Sequence, residues 1–368
     1  MHNGTLRIQV IGVGGGGGNA VSHIAQKMNN GIAFAAVNTD LQALNAVQVP
    51  HKLQIGAQLT RGFGSGAQPD IGRKAAEETI AAIRPLLADA DLVFLAAGLG
   101  GGTGTGATPI IASVAKEIGA LTIAIVTKPF GFEGAKRADV AQQGLAELRQ
   151  IADTVICIPN DRVLKTAVAL PIDEAFRVSD EVLYQTVSSM HDLIARVGVI
   201  NIDYADIATV LKEPGDVVVG FGEGSGEANA TKAVRYAIAS PLLERNDISG
   251  AKQVLISLVG DLVLKDVQDA MQALHNELRG SAHIVFGFVK RDDMPGQARA
   301  TLIASGLPDI KKADKRKPML VAPQQSTMDF FPAESGRFVG LDPTLISGVN
   351  YDTPTYVRWG RKLLSDAA

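Results

Sequence analysis

Residues 91–106 read DLVFLAAGLGGGTGTG, and the helix-like stretch ATPIIASVAKEIG follows without a break. An apolar run of strand length enters a turn in which Gly100 to Gly106 supply five glycines and two threonines. Glycine lets backbone approach a ligand closely, and successive N–H groups at the start of a helix face an anion with the positive end of the helix dipole behind them. Two hydroxyls add further donors, enough with the backbone to surround a di- or triphosphate from one side. A merely structural turn needs far less glycine, and each surplus glycine costs folding entropy.

A second glycine turn lies upstream. Strand-like LRIQVIGV leads into Gly14 to Gly18 and Asn19 before a helix, so a phosphate-cradling loop is expected between strand and helix. The same residues satisfy a dinucleotide fingerprint through Gly12, Gly14 and Gly17, and Asp40 ends the next strand where a ribose-binding acid would sit. This turn alone leaves a nicotinamide-dependent dehydrogenase and a purely structural turn open. Two such turns at one sheet edge disfavour the dehydrogenase, and no Walker lysine is found.

Outward from these turns, apolar runs alternate with helix-like stretches: AVSHIAQKM, GIAFAAVNTD, AEETIAAIRPLLADA, LTIAIVTKP and GLAELRQIADTVICIPN. This rhythm predicts an α/β domain with a parallel sheet covered on both faces, whose ligands bind beyond the carboxyl ends of the strands. Residues 173–197 read as one long helix, capped by Asp173, stopped by Gly198, with Phe176, Leu183, Val187, Met190, Ile194 and Val197 on one apolar face. A smaller mixed α/β unit follows to about Gly306. The expected domains are 1–172, which binds nucleotide, the central helix 173–198, an α/β unit 199–306, a solvated linker 307–348 containing KKADKRKP, and a tail 349–368.

The 368 residues exceed what one core usually serves, and 46% apolar residues, 20% charged residues and a net charge of -3 describe an ordinary globular chain. That composition disfavours a global electrostatic hold on nucleic acid. No run reaches eighteen apolar residues, so no transmembrane segment is expected, and the N-terminus lacks the features of a signal peptide. Cys157 is the single cysteine, set in TVICIP like a buried strand thiol, which fits a reducing cytoplasm.

Taken together, VIGVGGGGGNAV and AGLGGGTGTGA resemble the two nucleotide loops of FtsZ, the tubulin-like bacterial cell-division GTPase family. VNTD, GFGSGAQPDIGR, VTKPFGFEGAKR, IPNDRVLK and NIDYAD continue the resemblance in order over residues 6–306. It implies a tubulin/FtsZ-like fold: a Rossmann-like GTPase domain joined by the long helix to the smaller domain. It further implies a cytoplasmic GTPase that binds GTP and GDP with Mg²⁺, polymerises head to tail and scaffolds the division ring at midcell. By resemblance, Gly15, Gly16, Asn19, Gly101, Gly102, Thr103, Gly104, Thr105 and Gly106 would hold the phosphates, and Glu133 and Arg137 would reach the sugar region. Asn160, Phe176 and Asp180 would hold the base. Without it, Phe176 reads as core and Asp180 as an exposed residue on the polar side of the helix, while Glu133 and Arg137 read as a solvated turn.

The glycine turns contain no evident base. The resemblance assigns catalysis to Asn201, Asp203 and Asp206 in NIDYAD, a loop that one subunit inserts above the nucleotide of the next; no residue is assigned as a metal ligand. Read locally, Asp203 caps the helix YADIATVLK, and Asp206 is favoured near its positive end. Ala208, where many relatives carry a basic residue, and EPGDVVV at 213–219, with Pro214 ending the helix early, depart from the family pattern. These departures bear on the longitudinal contact and the turnover rate; a non-hydrolysing structural paralogue is the main alternative, against which Asn201, Asp203 and Asp206 argue. In the tail, Asp352, Pro354, Tyr356, Val357 and Arg358 resemble the D-x-P-x-F-L-R peptide that the family offers to membrane-tethering and regulatory partners. Arg358, Trp359, Arg361 and Lys362 also allow weak direct contact with an anionic membrane.

Overall fold

The computed structural model describes residues 6–28, 31–162, 171–195, 199–200, 202–213, 216–240, 247–278 and 282–307, together with 345–346 and 349–350. Asn201, Pro214, residues 196–198 that include the expected Gly198 stop, and the tail 352–358 lie outside them. The elements of the first half are β1 (Ile8–Val13), α1 (Gly14–Lys27), β2 (Ile32–Asn38), α2 (Leu41–Ala46), β3 (His51–Gln54), α3 (Ala57–Thr60), α4 (Pro69–Glu78) and α5 (Ile80–Leu87). Then follow β4 (Leu92–Gly98), α6 (Thr103–Glu117), β5 (Leu121–Lys128), α7 (Ala135–Ile151) and β6 (Thr154–Pro159). The long helix α8 (Ile172–Ala195) leads to α9 (Tyr204–Leu211), β7 (Asp216–Ser225), α10 (Asn229–Ile238), β8 (Gln253–Gly260), α11 (Leu264–Leu278), β9 (His283–Lys290) and β10 (Gln297–Leu307). A short antiparallel pair, β11 (Leu345–Ile346) and β12 (Val349–Asn350), belongs to a separate unit.

The strands up to β10 form a ten-stranded sheet in the order β3-β2-β1-β4-β5-β6-β7-β10-β8-β9. From β3 to β6 all pairings are parallel. A single parallel pair, Ile156 with Val217, carries the sheet on to β7, and antiparallel pairing of β10 with β7 and β8 follows. Central parallel strands are covered on both faces, which is why β1 and β4 are apolar at nearly every position instead of alternating. Along β1, Val10 points to one face and Ile11 and Val13 to the other, as the period of two requires.

One face packs against α1 and α8, where Val21, Ile24, Leu183, Val187 and Met190 share a core with Phe94, Ile125, Leu255 and Ile303. The long helix thus contributes to a core that draws on strands of both halves. The other face of the parallel sheet buries Ile83, Leu87, Ile111, Leu145 and Leu148 from α5, α6 and α7. In the second half, Val234 and Ala237 of α10 pack with Leu274 and Leu278 of α11. Cys157 is buried in β6.

Several local expectations change. The glycines 14–18 are not a loop before a helix but the first residues of α1 itself, and α6 begins at Thr103, inside its glycine turn. AEETIAAIRPLLADA is two helices, broken where the Thr79 hydroxyl donates to Ala75 O at 3.0 Å and accepts the Gly56 N–H at 3.0 Å. The edge strand β3, HKLQ, carries no apolar run and went unforeseen, because it is covered poorly and exposes His51 and Lys52. Asp173 is the second residue of α8 and not its cap. Among the described residues no helix is long and apolar enough to cross a membrane.

Candidate functional site

The first turns of α1 and α6 abut at the carboxyl ends of β1 and β4. A Cβ added to Gly14 would lie 2.9 Å from Gly104 N, and one on Gly104 would lie 2.4 Å from Gly98 O. Gly14 also has φ +73°, a conformation L side chains rarely adopt. Both turns are therefore glycine because backbone packs on backbone there. Gly102 and Gly106 are closed in the same way, with Ser65 Oγ at 2.2 Å and Pro69 O at 1.9 Å from an added Cβ. Gly15, Gly16 and Gly101 differ. An added Cβ meets nothing within 4 Å at Gly15, Gly98 at 3.6 Å at Gly16, and only Arg137 Nη2 at 4.0 Å at Gly101. Those three, with the exposed Asn19, border open space.

Neither α1 nor α6 has an acidic residue in its first turn, and each carries a lysine, Lys27 or Lys116, in its last. Two helix dipoles, each equivalent to roughly half a positive charge at its N-terminus, converge on the same spot. Such an arrangement favours a negative charge beside the two helix starts. The two threonine hydroxyls are engaged within the protein. Thr103 Oγ1 lies 2.6 Å from Thr39 Oγ1 and 3.1 Å from Ser65 Oγ, and Thr105 Oγ1 accepts the Gly100 N–H at 2.9 Å.

Ser65 belongs to a segment the sequence reading gave no role. Arg61, Gly62, Gly64, Gly66 and Ala67 all have positive φ, so the chain coils tightly against the α6 turn. Glycine at every second position from 62 to 66 was the available signal. Asp40, which could have been a ribose-binding acid, instead caps α2 by accepting the Ala43 N–H at 2.9 Å.

To one side of the α6 turn, Gly100 packs under the backbone of Arg137 at the start of α7. Arg137 and Glu133 form an ion pair at 2.6 Å, and Glu133 Oε1 also accepts the Phe130 N–H at 2.9 Å. Further along, Asn160 is buried and its Oδ1 accepts the Ser179 hydroxyl at 3.1 Å. Phe176 is 44% exposed, edge-on at 5.1 Å to Phe130, which in turn stacks at 5.0 Å on the exposed Phe132. Phe130, Phe132 and Ser179 were not foreseen as parts of this region.

Asp180 is half-buried, on the helical stripe that continues into Leu183 and Val187, not on the polar side of α8. Phe176 is thus not core and Asp180 is not fully exposed, because the stripe leaves the core at this end, where Phe176 meets Phe130. Burial pushes the Asp180 carboxyl up from 3.8 to about 6, and the nearby His23 pulls it partly back. It is held largely ionised at neutral pH in a place that disfavours charge.

Asp203 and Asp206 are elsewhere. Asp203 occupies the N-cap position of α9 but makes no side-chain capping bond, and Asp206 lies exposed in the first turn. The loop is tied to the opposite end of the sheet, since the Tyr204 hydroxyl donates to Asp91 O at 3.0 Å, just before β4 begins. From Phe176 and Asp180, in the first half of α8, the helix runs on to Ala195, about 28 and 22 Å respectively, before the segment that leads into this loop. The structure gathers the glycine turns, Glu133, Arg137, Asn160, Phe176 and Asp180 at one end and leaves Asp203 and Asp206 at the other.

Comparison with known proteins identifies the family. Residues 7–168 match the Tubulin/FtsZ family GTPase domain, and residues 215–308 match the FtsZ family C-terminal domain. The chain is 42% identical over 346 residues to cell division protein FtsZ of Buchnera aphidicola subsp. Schizaphis graminum, covering 93% of this chain and 89% of that one. It is 44% identical over 310 residues to the protein of the same name from Buchnera aphidicola subsp. Baizongia pistaciae, covering 83% and 80%. Among solved structures, an FtsZ dimer from M. jannaschii superposes with TM-score 0.76 at 38% identity, covering 82% of this chain and 88% of that one. CetZ2 from Haloferax volcanii, a GTPγS-bound protofilament, shares the fold with TM-score 0.71 at 21% identity, covering 83% and 96%. The GTPase match spans both glycine turns, so the dehydrogenase reading falls. The chain belongs to the FtsZ family of tubulin-like cell-division GTPases.

Proposed function

We propose that this GTPase assembles head to tail and that its hydrolytic site is completed between subunits. The observation that carries the reading is the separation of parts: anion-binding turns with no base at one end, and exposed carboxylates without a capping task at the other. Stacking one chain on the next brings Asp203 and Asp206 of one subunit over the glycine turns of its neighbour. That a 38% identical relative is described as a dimer supports such an assembly.

In this reading the N–H groups around Gly15, Gly16, Asn19, Gly101, Gly102, Thr103, Gly104, Thr105 and Gly106 cradle the phosphates, and Glu133 and Arg137 hold the sugar side. Phe176 stacks on the base, with Asn160 beside it. The Asp180 carboxylate accepts the two adjacent N–H donors on the edge of guanine. Adenine lacks that pair, and charge-assisted bonds are worth about 1.5–3 kcal/mol each, which selects GTP. Asp206, assisted by Asp203 and Asn201, orients a water towards the γ-phosphate and takes up its proton as the bond to the leaving GDP oxygen breaks.

Among the described residues no three His, Cys, Asp or Glu side chains converge as metal ligands, and the glycine turns present N–H donors. N–H donors bind anions and not cations, so Mg²⁺ would be held by the nucleotide's phosphate oxygens and water, the glycine turns holding the phosphates that carry it. When bound, the ion offsets phosphate charge.

The tail from Asp352 to Arg358 recruits membrane-tethering and regulatory partners, which places the filament at midcell beneath the inner membrane. The test of the enzymatic reading is the Asp206→Ala chain. It is expected to bind GTP normally and to lose turnover by about 10²–10⁴, the usual worth of a positioned acid–base group. Unchanged turnover would return Asp206 to a surface role.

A further inference from the structure

The turn of α8 that carries Asp180 is fastened on both flanks. On one side Ser179 bonds to Asn160. On the other, the next residue, Glu181, points to α1, where a single carboxylate oxygen, Oε2, takes both His23 Nε2 at 3.0 Å and Lys27 Nζ at 2.5 Å. Lys27 Nζ also sits 4.7 Å above the Tyr184 ring, which His23 meets edge-on at 6.3 Å. Two residues of α1 therefore grip two residues of α8 one turn apart.

The pairing is too exposed to serve mainly as a stabiliser. The His23, Lys27 and Glu181 side chains are 28%, 40% and 36% exposed, and ion pairs of that kind add little to folding. Burial pushes the Glu181 carboxyl up, and the bonds from Lys27 and His23 overcome it, leaving it below its ordinary value. The geometry has a different consequence. α1 begins at the phosphate turn with Gly14 and reaches His23 nine residues later, about 13 Å along one rigid helix. The same helix thus fixes the anion site at one end and the base-facing turn of α8 at the other.

We propose that Glu181, gripped by His23 and Lys27, is a positioning residue for guanine recognition: the clasp between α1 and α8 sets where the Asp180 carboxylate stands relative to the phosphate site. The inference rests on the reading of Asp180 as the guanine acceptor. Side chains at consecutive helical positions point about 100° apart, so Glu181 is directed away from Asp180 and acts on it through the backbone they share and through His23, which also lies near Asp180. Loosening the clasp lets that turn rotate, and a hydrogen-bonded pair of donors is lost more readily than a stacked ring or a cradled phosphate.

The test compares the affinities of GDP and IDP, which differ only in the 2-amino group of guanine, for the full chain and five variants. Diphosphates keep turnover out of the measurement. Glu181→Ala is expected to reduce the preference for GDP over IDP about tenfold, a usual size for coupling between neighbours, while IDP affinity stays within about twofold. Lys27→Met should follow in the same direction, and Glu181→Gln, which still accepts both bonds, should restore most of the preference. Combining Glu181→Ala with Asp180→Ala should add nothing to Asp180→Ala alone. If Glu181→Ala lowers both affinities equally, or neither, while Asp180→Ala abolishes the preference, the clasp is structural only and the proposal fails. If Asp180→Ala itself leaves the preference intact, the proposal fails because its base assignment has failed. Should Glu181→Ala fold poorly, the exposed-site variants Lys27→Met and Glu181→Gln decide the question by the same ratio.

Discussion

Replacing Asp180 by Asn separates a functional residue from a structural one by moving stability and specificity in opposite directions. The carboxyl is raised to about 6 from 3.8 by burial, with His23 opposing. That difference corresponds to at most about 3 kcal/mol of destabilisation of the ligand-free protein once the group is ionised. The sign follows from proton binding. The folded state holds the Asp180 proton more tightly than the unfolded chain does, so the group is neutral and harmless below about pH 4. Its penalty grows as pH rises from 4 to 6 and is complete above 6. The amide of the Asp180→Asn chain has no charge to bury. The substituted protein, free of nucleotide at pH 7, should therefore melt several degrees higher, roughly 5 °C for a gain of 2–3 kcal/mol, and the gain should shrink towards zero at pH 4. Its GDP affinity should fall by about 10²–10³, since one of two charge-assisted bonds is lost and an amide donor opposes a guanine donor. Thermal scans of apo protein from pH 4 to 8, paired with nucleotide titration, measure both. A lowered melting temperature with guanine selectivity preserved would refute the reasoning and make Asp180 an ordinary structural residue.

The remaining predictions concern the turns and the tail. Gly15→Ala, whose added methyl meets nothing within 4 Å, should keep its melting temperature within a degree or two yet bind nucleotide at least tenfold more weakly; calorimetry and titration check this. Gly17→Ala, whose methyl would lie 2.1 Å from Ala96 O, should instead destabilise the fold by about 3 kcal/mol or more, read by denaturant unfolding. Truncation after Gly348 should leave GTP hydrolysis and sedimentation of polymers intact while abolishing recruitment to membranes by tail-binding partners, as followed by imaging in cells.

Much of the parallel domain could be read from sequence because buried parallel strands are apolar at almost every position, as in IQVIGV and LVFLAAG. The glycine turns were legible as turns between strand and helix, but not which of their glycines packing requires. Gly14 and Gly17 are required by backbone contacts with Gly104 and Ala96, far away in sequence, and Gly104 by the fold-back onto Gly98; no local pattern distinguishes them from Gly15. The edge strand β3 escaped because an edge needs little apolar surface, and the break at Thr79 because it depends on a side chain that also serves the backbone of Gly56, 23 residues upstream. Phe176 and Asp180 were misjudged by periodicity alone. Helical spacing places residues on a stripe, but where that stripe leaves the core is decided by neighbouring elements. His23, Lys27 and Glu181 showed no pattern at all, since the clasp joins residues more than 150 positions apart.

The shared active site is tested most directly by mixing two inactive chains. One is Asp206→Ala, with an intact nucleotide pocket. The other is Gly15→Asp, which places a carboxylate in the open space beside the anion site and so excludes phosphate; it is preferable to changes at Gly104 or Gly106, where added atoms would strike backbone. Steady-state GTP hydrolysis is measured for each chain alone and for mixtures, at protein concentrations spanning the assembly threshold. If the site lies between subunits, each chain alone is nearly inactive and the mixture recovers hydrolysis, because some contacts pair an intact pocket with an intact carboxylate loop. Absence of recovery despite co-sedimentation of the two chains, together with a wild-type rate that stays linear in concentration through the threshold, would contradict it.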